Sequence, residues 1–170
     1  MRFEQKQGDL PYGYDHKYTY TELGFNLKIT EIQASLGLSQ LGRIDEFVRV
    51  RRENFKFLHD GLQQLSEHII LPMATPQTEP SWFGFPITIR ATGERQVLQE
   101  YLDANGVGSR LLFSGNITRQ PYMDGRRFNI HGTLENSDKI MNDTLWLGVW
   151  PGLTTDNLEY MISKMEAFCK

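Results

Sequence analysis

The polar segment from Arg110 to Pro121 carries the side chains that are best suited to bind a ligand. It leaves a predicted strand as a glycine-containing loop that brings together Asn116, Thr118, Arg119 and Gln120. Loops that leave a strand end are common positions for binding sites. Amides offer paired donors and acceptors suited to sugar hydroxyls, and arginine offers a fork for phosphate or carboxylate. Composition alone leaves a ligand site and an ordinary polar loop both open.

Other residue types that often carry catalysis show no usable pattern. No lysine ends an apolar strand in a setting that would desolvate its amine, so no lysine nucleophile is predicted. Each of the four histidines lacks a second metal ligand at local spacing. The single cysteine, Cys169, can form no internal disulfide and cannot hold a metal alone. We therefore expect structural or surface roles for these residues.

Composition limits the class of protein. The 170 residues are enough for one domain, and 39% apolar and 23% charged residues are typical of a folded globular chain. A net charge of -3, without a basic tract, argues against nucleic acid as a partner. No apolar run is long enough to cross a bilayer, and the first ten residues are polar. We expect a cytoplasmic protein.

Hydrophobic periodicity predicts an α/β or α+β fold, in which helices cover a small mixed sheet and a long helix precedes it. The first predicted helix begins after a Thr30 cap, and the last begins after a Thr155 cap and ends the chain. Between them, helices are predicted from Ile44 to Leu65, Glu94 to Ala104 and Asn136 to Asp143. The predicted strands are Ile69 to Leu71, Ser81 to Arg90, Val107 to Phe113 and Leu145 to Val149. Pro86 indicates an edge or irregular position in its strand.

The long helix carries a basic group, Arg49, Arg51 and Arg52, among acidic residues. We interpret this face as solvated surface, with a phosphate site as the alternative.

The first twenty residues hold five aromatic side chains, which are a large apolar load for a free terminus. We expect these aromatic residues to pack on another part of a protein.

Four segments resemble one subgroup of the DegT/DnrJ/EryC1/StrS sugar aminotransferases, the CDP-4-keto-6-deoxy-D-glucose-3-dehydrases of lipopolysaccharide O-antigen biosynthesis. They are the run from Gly13 to Ala34, the Ser81-Trp-Phe-Gly-Phe85 strand, the Arg110 to Pro121 loop, and the stretch from Asp138 to Leu153. The resemblance covers essentially the whole chain. It implies the C-terminal small domain of a fold-type I enzyme that depends on pyridoxal phosphate.

The resemblance also implies cofactors, partners and site residues. The family enzyme uses pyridoxamine 5'-phosphate and a histidine base, removes the sugar 3-hydroxyl, and receives electrons through a [2Fe-2S] cluster from a reductase. In that family the asparagine that corresponds to Asn26 binds the cofactor phosphate across a homodimer interface. For the CDP-sugar, the expected contacts are Phe83, Arg110, Asn116 and Arg119.

The same resemblance places the cluster cysteines and the catalytic histidine before the first residue of this sequence. We therefore expect residues 1–28 to be an arm belonging to a large domain, residues 29–66 to be connecting helices, and residues 67–170 to be the small domain. The isolated chain is expected to be inactive. The alternatives are a fragment of a lysine-containing sugar aminotransferase and a non-catalytic domain that only self-associates.

Overall fold

The computed structural model describes Phe25 and residues 27–170 in two compact units that divide at Leu41 and Gly42. The first unit contains helix α1 (Glu31–Leu41). The elements of the second unit are α2 (Ile44–Leu62), β1 (Ile69–Ile70), β2 (Gly84–Ile89), α3 (Arg95–Ala104), β3 (Ser109–Leu111), α4 (Glu135–Asp143), β4 (Thr144–Gly148) and α5 (Thr155–Phe168). The structure groups α2 with the residues that follow it, and the functional division into three parts stays a prediction.

The four strands of the second unit form one sheet in the order β1-β2-β4-β3, with every neighbouring pair antiparallel. The expected α/β fold is confirmed, but the expected mixed sheet is wrong. Strands β2 and β3 run in the same direction and are joined through α3, as the strand-helix-strand pattern suggested. However, β4 lies between them and pairs antiparallel with both. The result is a split βαβ unit.

One face of the sheet forms the core. Alternate residues of β2 and β4 point to it and are fully buried, including Phe85, Ile87, Leu145 and Leu147. The helices α2, α3 and α5 supply the opposite wall of the same cluster. Each large apolar side chain buried in this way contributes about 1.5 to 3 kcal/mol relative to an exposed one. This layer holds the second unit together.

The other face of the sheet carries Pro86, Trp146 and Arg110, which occupy paired positions on β2, β4 and β3. Directly opposed residues of an antiparallel pair project to the same face. Pro86 lies in an inner strand, whereas the sequence indicated an edge or irregular position. The structure tolerates it because β1 pairs only with Thr88 and Ile89, which leaves no β1 residue opposite Pro86. Its missing N–H therefore removes no bond to β1.

Side-chain caps begin α1 and α5, whereas α2, α3 and α4 begin without one. Gln33 N–H donates to Thr30 Oγ1, and Thr30 N–H donates to Gln33 Oε1 at 2.8 Å, which confirms the cap of α1. The cap of α5 is Thr154, so the expected Thr155 cap is wrong by one residue. Thr154 keeps an extended backbone and exchanges two hydrogen bonds with Asn157, as a capping box requires. Among the described residues, no helix has the length and apolar character needed to span a membrane.

Candidate functional site

The loop after β3 is built around the buried side chain of Asn116. Asn116 Oδ1 accepts hydrogen bonds from the backbone N–H of Thr118 at 3.1 Å and from Thr118 Oγ1 at 2.8 Å. These bonds cap a short 3-10 helix, Ile117–Arg119. The sequence favours this turn because asparagine bonds readily to a backbone N–H two residues ahead.

Asp138 of α4 ties this turn to the rest of the unit. Its Oδ1 accepts from Asn116 Nδ2 at 2.7 Å and from Arg119 Nε at 3.1 Å, and its Oδ2 accepts from Arg119 Nη2 at 2.7 Å. We call these three residues the Asn116–Arg119–Asp138 network. Asn116 is only 2% exposed, and its amide oxygen and nitrogen both have protein partners. The structure thus places Asn116 as an internal support, and its contact with a sugar nucleotide stays a prediction.

The network changes the acidity of its carboxyl group. Hydrogen bonds from Arg119 and then from Asn116 hold the pKa of Asp138 below its usual value, since both favour the charged carboxylate. The same carboxylate raises the pKa of Arg119. At neutral pH Asp138 and Arg119 are therefore both charged.

The lowered pKa of Asp138 predicts a pH-dependent contribution to stability. Asp138→Asn should lower the thermal midpoint at about pH 7, because a carboxylate with a depressed folded pKa stabilises the native state above its unfolded pKa of about 3.9. The difference from wild type should shrink as the pH falls below the unfolded pKa and through the lower folded pKa of Asp138. Thermal unfolding followed by circular dichroism measures it.

Asp103→Asn, on the exposed face of α3, is the control and should change the midpoint little at either pH. A constant Asp138→Asn difference from about pH 7 to about pH 3 would contradict the assigned ionic role.

Phe83 contributes to a shallow aromatic recess beside the sheet. Its ring centroid lies 5.2 Å from that of Trp146 and 6.2 Å from that of Phe113. The recess has a volume of about 160 Å³, and its lining is Trp82, Phe83, Gly84, Pro86, Leu112, Phe113 and Trp146. Phe83 is 63% exposed, so it is not an ordinary core aromatic. An apolar surface of this kind can bind the flat face of a ring.

Gly84 and the Trp146 indole determine the floor of the aromatic recess. A Cβ at Gly84 would lie 2.3 Å from Trp146 Cε3, so only glycine lets the indole lie across β2. Trp146 Nε1 donates to the Leu111 carbonyl at 3.0 Å and thereby holds the ring in place. Arg110 is paired with Trp146 across β3 and β4, so its exposed side chain lies on the same face.

The basic group of α2 positions the segment that leads to Phe83. Arg51 Nη1 donates to the Trp82 carbonyl at 3.2 Å, and Arg52 Nε donates to the Pro80 carbonyl at 3.2 Å. Arg49 pairs with Glu53 on the exposed helix surface. The solvated-surface interpretation therefore describes Arg49, whereas Arg51 and Arg52 bind backbone carbonyls of the loop before β2.

The structure brings the predicted residues together in two groups. Asn116 and Arg119 belong to the network, whereas Phe83 and Arg110 lie beside Trp146. Asn26 lies outside the described residues, so its predicted role with the cofactor phosphate remains a prediction.

Sequence reasoning missed three residues of these groups, which are Asp138, Trp146 and Phe113. Asp138 lies 19 residues from Arg119, and nothing local marks it as the partner. Phe113 adopts a left-handed backbone with φ 50°, a conformation that a phenylalanine in the sequence does not predict. The one usable signal was Arg119, because a guanidinium group pairs well with a carboxylate and so indicated an acidic partner.

The described residues do not form a complete site for a pyridoxal-type cofactor. No charged side chain lines the aromatic recess to bind a phosphate. Lys139 is paired with Asp143 and Lys56 with Asp60, so neither is a free amine for a Schiff base. Within the described part of the chain, no group of three His, Cys, Asp or Glu side chains could hold a metal ion.

Solved structures share the fold of this chain. The Streptomyces venezuelae enzyme DesV, in complex with a ketimine intermediate, superposes with a TM-score of 0.82 at 24% identity, over 94% of this chain and 42% of that one. An E. coli GDP-4-keto-6-deoxy-D-mannose-3-dehydratase with bound hydrated PLP gives a TM-score of 0.78 at 22% identity, over 87% of this chain and 38% of its own. These likenesses establish the fold.

The chain belongs to the DegT/DnrJ/EryC1/StrS aminotransferase family, whose sequence pattern matches residues 3–166. It is 53% identical to the lipopolysaccharide biosynthesis protein RfbH of Salmonella typhimurium, over 98% of this chain and 39% of that protein. It is 46% identical to the dTDP-4-dehydro-2,6-dideoxy-D-glucose 3-dehydratase of Saccharopolyspora spinosa, over 98% of this chain and 36% of that protein. The chain thus spans about two fifths of the length of these curated relatives.

Proposed function

We propose that this chain is the small-domain part of a sugar-nucleotide 3-dehydratase that depends on pyridoxamine phosphate. The observation that carries the proposal is the 46% identity, across nearly the whole chain, to a relative that is named a 3-dehydratase. The 53% identity to a lipopolysaccharide biosynthesis protein supports the same assignment. We propose CDP-4-keto-6-deoxy-D-glucose as the substrate, and a homodimer with Asn26 at the cofactor phosphate of its partner.

The proposed overall reaction replaces the C3 hydroxyl of the sugar by hydrogen. It releases water and takes up two electrons and two protons, which we assign to a partner reductase. The described residues would contribute binding surfaces to this reaction. The aromatic recess offers an apolar wall that excludes water, and Arg110 offers a positive charge beside it.

A chimeric enzyme tests the proposal. We would replace the matched segment of the S. spinosa 3-dehydratase by this chain and assay the purified chimera with pyridoxamine phosphate, a reductase and the sugar nucleotide. We expect 3-deoxygenation within about tenfold of the rate of the intact relative, because this chain should supply an equivalent domain wall. Assays with CDP-, dTDP- and GDP-linked 4-keto sugars would identify the nucleotide.

Two controls make a negative result informative. Circular dichroism and the visible absorbance of the bound cofactor report whether the chimera folds and loads. A chimera with Glu53→Gln, on the exposed face of α2, should keep full activity. A folded, loaded chimera that cannot deoxygenate the sugar would sink the proposal.

The same chimera separates the alternatives. Formation of an amino sugar from L-glutamate, in place of a deoxy sugar, would favour the aminotransferase. A folded chimera that is inert in both assays would favour a domain whose only role is self-association.

A further inference from the structure

Phe113 occupies a position in a tight turn where glycine is the usual residue. The turn covers residues 112–115 and is closed by a hydrogen bond from Gly115 N–H to the Leu112 carbonyl at 3.1 Å. Phe113 is the first central residue and has φ 50°, a range that bulky L-residues avoid. The strain disfavours this backbone by about one to two orders of magnitude in population. The chain thus carries strain at an aromatic residue on its surface.

The contacts of Phe113 offset this strain only in part. Its ring is 76% exposed, and the ring of Phe83 is a neighbour at a centroid distance of 6.2 Å. An aromatic pair recovers about one order of magnitude at most. Phe113 N–H donates to the Leu111 carbonyl at 2.8 Å, but a bond near the surface contributes little because water can replace it. Opposing terms of similar size are the condition for two populated conformations.

Both ends of the turn are held by side chains. The Leu111 carbonyl accepts from Trp146 Nε1 at 3.0 Å, and the Ser114 carbonyl accepts from Gln120 Nε2 at 2.9 Å. These bonds fix the chain immediately before and after Phe113. Any movement is therefore confined to the peptide group between Leu112 and Phe113.

A flip of this one peptide group relieves the strain without moving the ends. Because the group is planar, the flip rotates ψ of Leu112 and φ of Phe113 in opposite senses. It takes φ of Phe113 out of the positive range and swings the ring away from Phe83. It also breaks both hydrogen bonds of the turn together, since the Leu112 carbonyl and the Phe113 N–H belong to the same group.

The aromatic recess is slightly too narrow for a ring while Phe113 is in its present position. The rings of Phe83 and Phe113 are 6.2 Å apart and inclined by 26°, which is close to parallel. A flat ring inserted between them needs about 7 Å, twice the contact distance of carbon atoms. The residues that line the recess are uncharged, so an uncharged ring suits it.

We propose that Phe113 is a two-state lid on the aromatic recess, which opens by a flip of the peptide group between Leu112 and Phe113 and closes on a flat, uncharged ring. A ring held between Phe83 and Phe113 adds the stacking contact that the strained conformation lacks. The inference is independent of the proposed function, because it concerns the free chain and any ring of this shape.

Amide hydrogen exchange of the full ¹⁵N-labelled chain tests the flip. We expect the amides of Phe113 and Gly115 to show the same protection, of about tenfold, because one flip exposes both. Different protection at the two amides would overturn the flip. Protection above about a hundredfold would show a single closed conformation and overturn the two-state lid.

Two substitutions of similar size separate strain from ring contact. Phe113→Asn and Phe113→Leu both remove the aromatic ring, but asparagine tolerates positive φ and leucine does not. We expect protection at residues 113 and 115 to be about tenfold higher in the asparagine variant than in the leucine variant. Phe128→Asn, at an exposed aromatic residue of the following loop, is the control and should match wild type. Equal protection in the two Phe113 variants would show that strain does not set the equilibrium.

Titration with indole, a flat and uncharged ring, tests the closure. We expect saturable shifts of the Gly84 amide and of the Trp146 Nε1–H signal, with a several-fold rise in protection at residues 113 and 115. Phe113→Leu should weaken indole binding several-fold, and Phe128→Asn should leave it unchanged. Absence of saturable binding, or binding that leaves the protection at residues 113 and 115 unchanged, would overturn the lid.

Discussion

Replacement of Gly115 by alanine is expected to lower the free energy of unfolding by about 3 kcal/mol and to detach the loop after β3 from α4. Gly115 has φ 60°, where a side chain is strained at a cost of about 1 to 3 kcal/mol. In addition, an added Cβ would lie 2.6 Å from Met141 Cβ and 2.8 Å from Met141 Cα. A backbone atom of a packed helix cannot rotate away, so the loop itself must move.

The displacement should be visible at the site as well as in the total stability. Urea unfolding measures the loss of free energy, and loss of amide protection at Thr118 would report the broken bond to Asn116. Gly125→Ala is the matched control, because Gly125 also has a positive φ of 69° but no atom within 4 Å of an added Cβ. It should cost about 1 kcal/mol. Equal losses for the two variants would show that contact with Met141 is unimportant.

Truncation of Leu102 to alanine is expected to lower the free energy of unfolding by about 3 kcal/mol, within the usual range of about 2 to 5 kcal/mol. Leu102 of α3 is fully buried in the cluster between the helices and the sheet. Its removal loses apolar contact and leaves a cavity that the close-packed layer cannot fill completely. Denaturant unfolding with an unchanged m-value would assign the effect to the native state.

Val97→Ala tests the same helix on its solvent side. Val97 is 57% exposed, so its truncation should change the free energy of unfolding by less than about 0.5 kcal/mol. If Leu102→Ala proved no more destabilising than Val97→Ala, the burial assigned to α3 would be wrong.

The helices and strands of the second unit were predictable because each carries a regular stripe of apolar residues. In α2, Phe55, Leu58 and Leu62 recur at three- and four-residue spacing and all reach the core. The alternation of β2 likewise separates buried Phe85 and Ile87 from Pro86. Periodicity of this kind reports which face of an element is buried.

The order of the strands was not predictable in the same way. The pattern around α3 indicated a strand-helix-strand unit, and nothing in it showed that β4 would lie between β2 and β3. An apolar stripe requires a partner surface but does not specify which one. The cap of α5 was misplaced by only one residue. Either of two adjacent threonines could cap the helix, and the extended backbone of Thr154 decides which one does.

In the candidate site, too, local features were predictable and contacts between distant residues were not. The sequence marked the Arg110 to Pro121 loop, because strand-end position and side-chain chemistry are local properties. It did not show that Asn116 is turned inward and bonded on both sides, or that Arg119 meets Asp138 across 19 positions. Those contacts depend on how α4 packs against the loop.

The sequence by itself determined the family resemblance, the elements, the core-facing residues and the loop that carries the polar groups. Only the tertiary structure decided that the polar loop is a braced turn, and that Phe83, Phe113 and Trp146 share one recess. The physical reason is that side-chain type and spacing are encoded locally. Distances between side chains far apart in sequence arise when the chain packs.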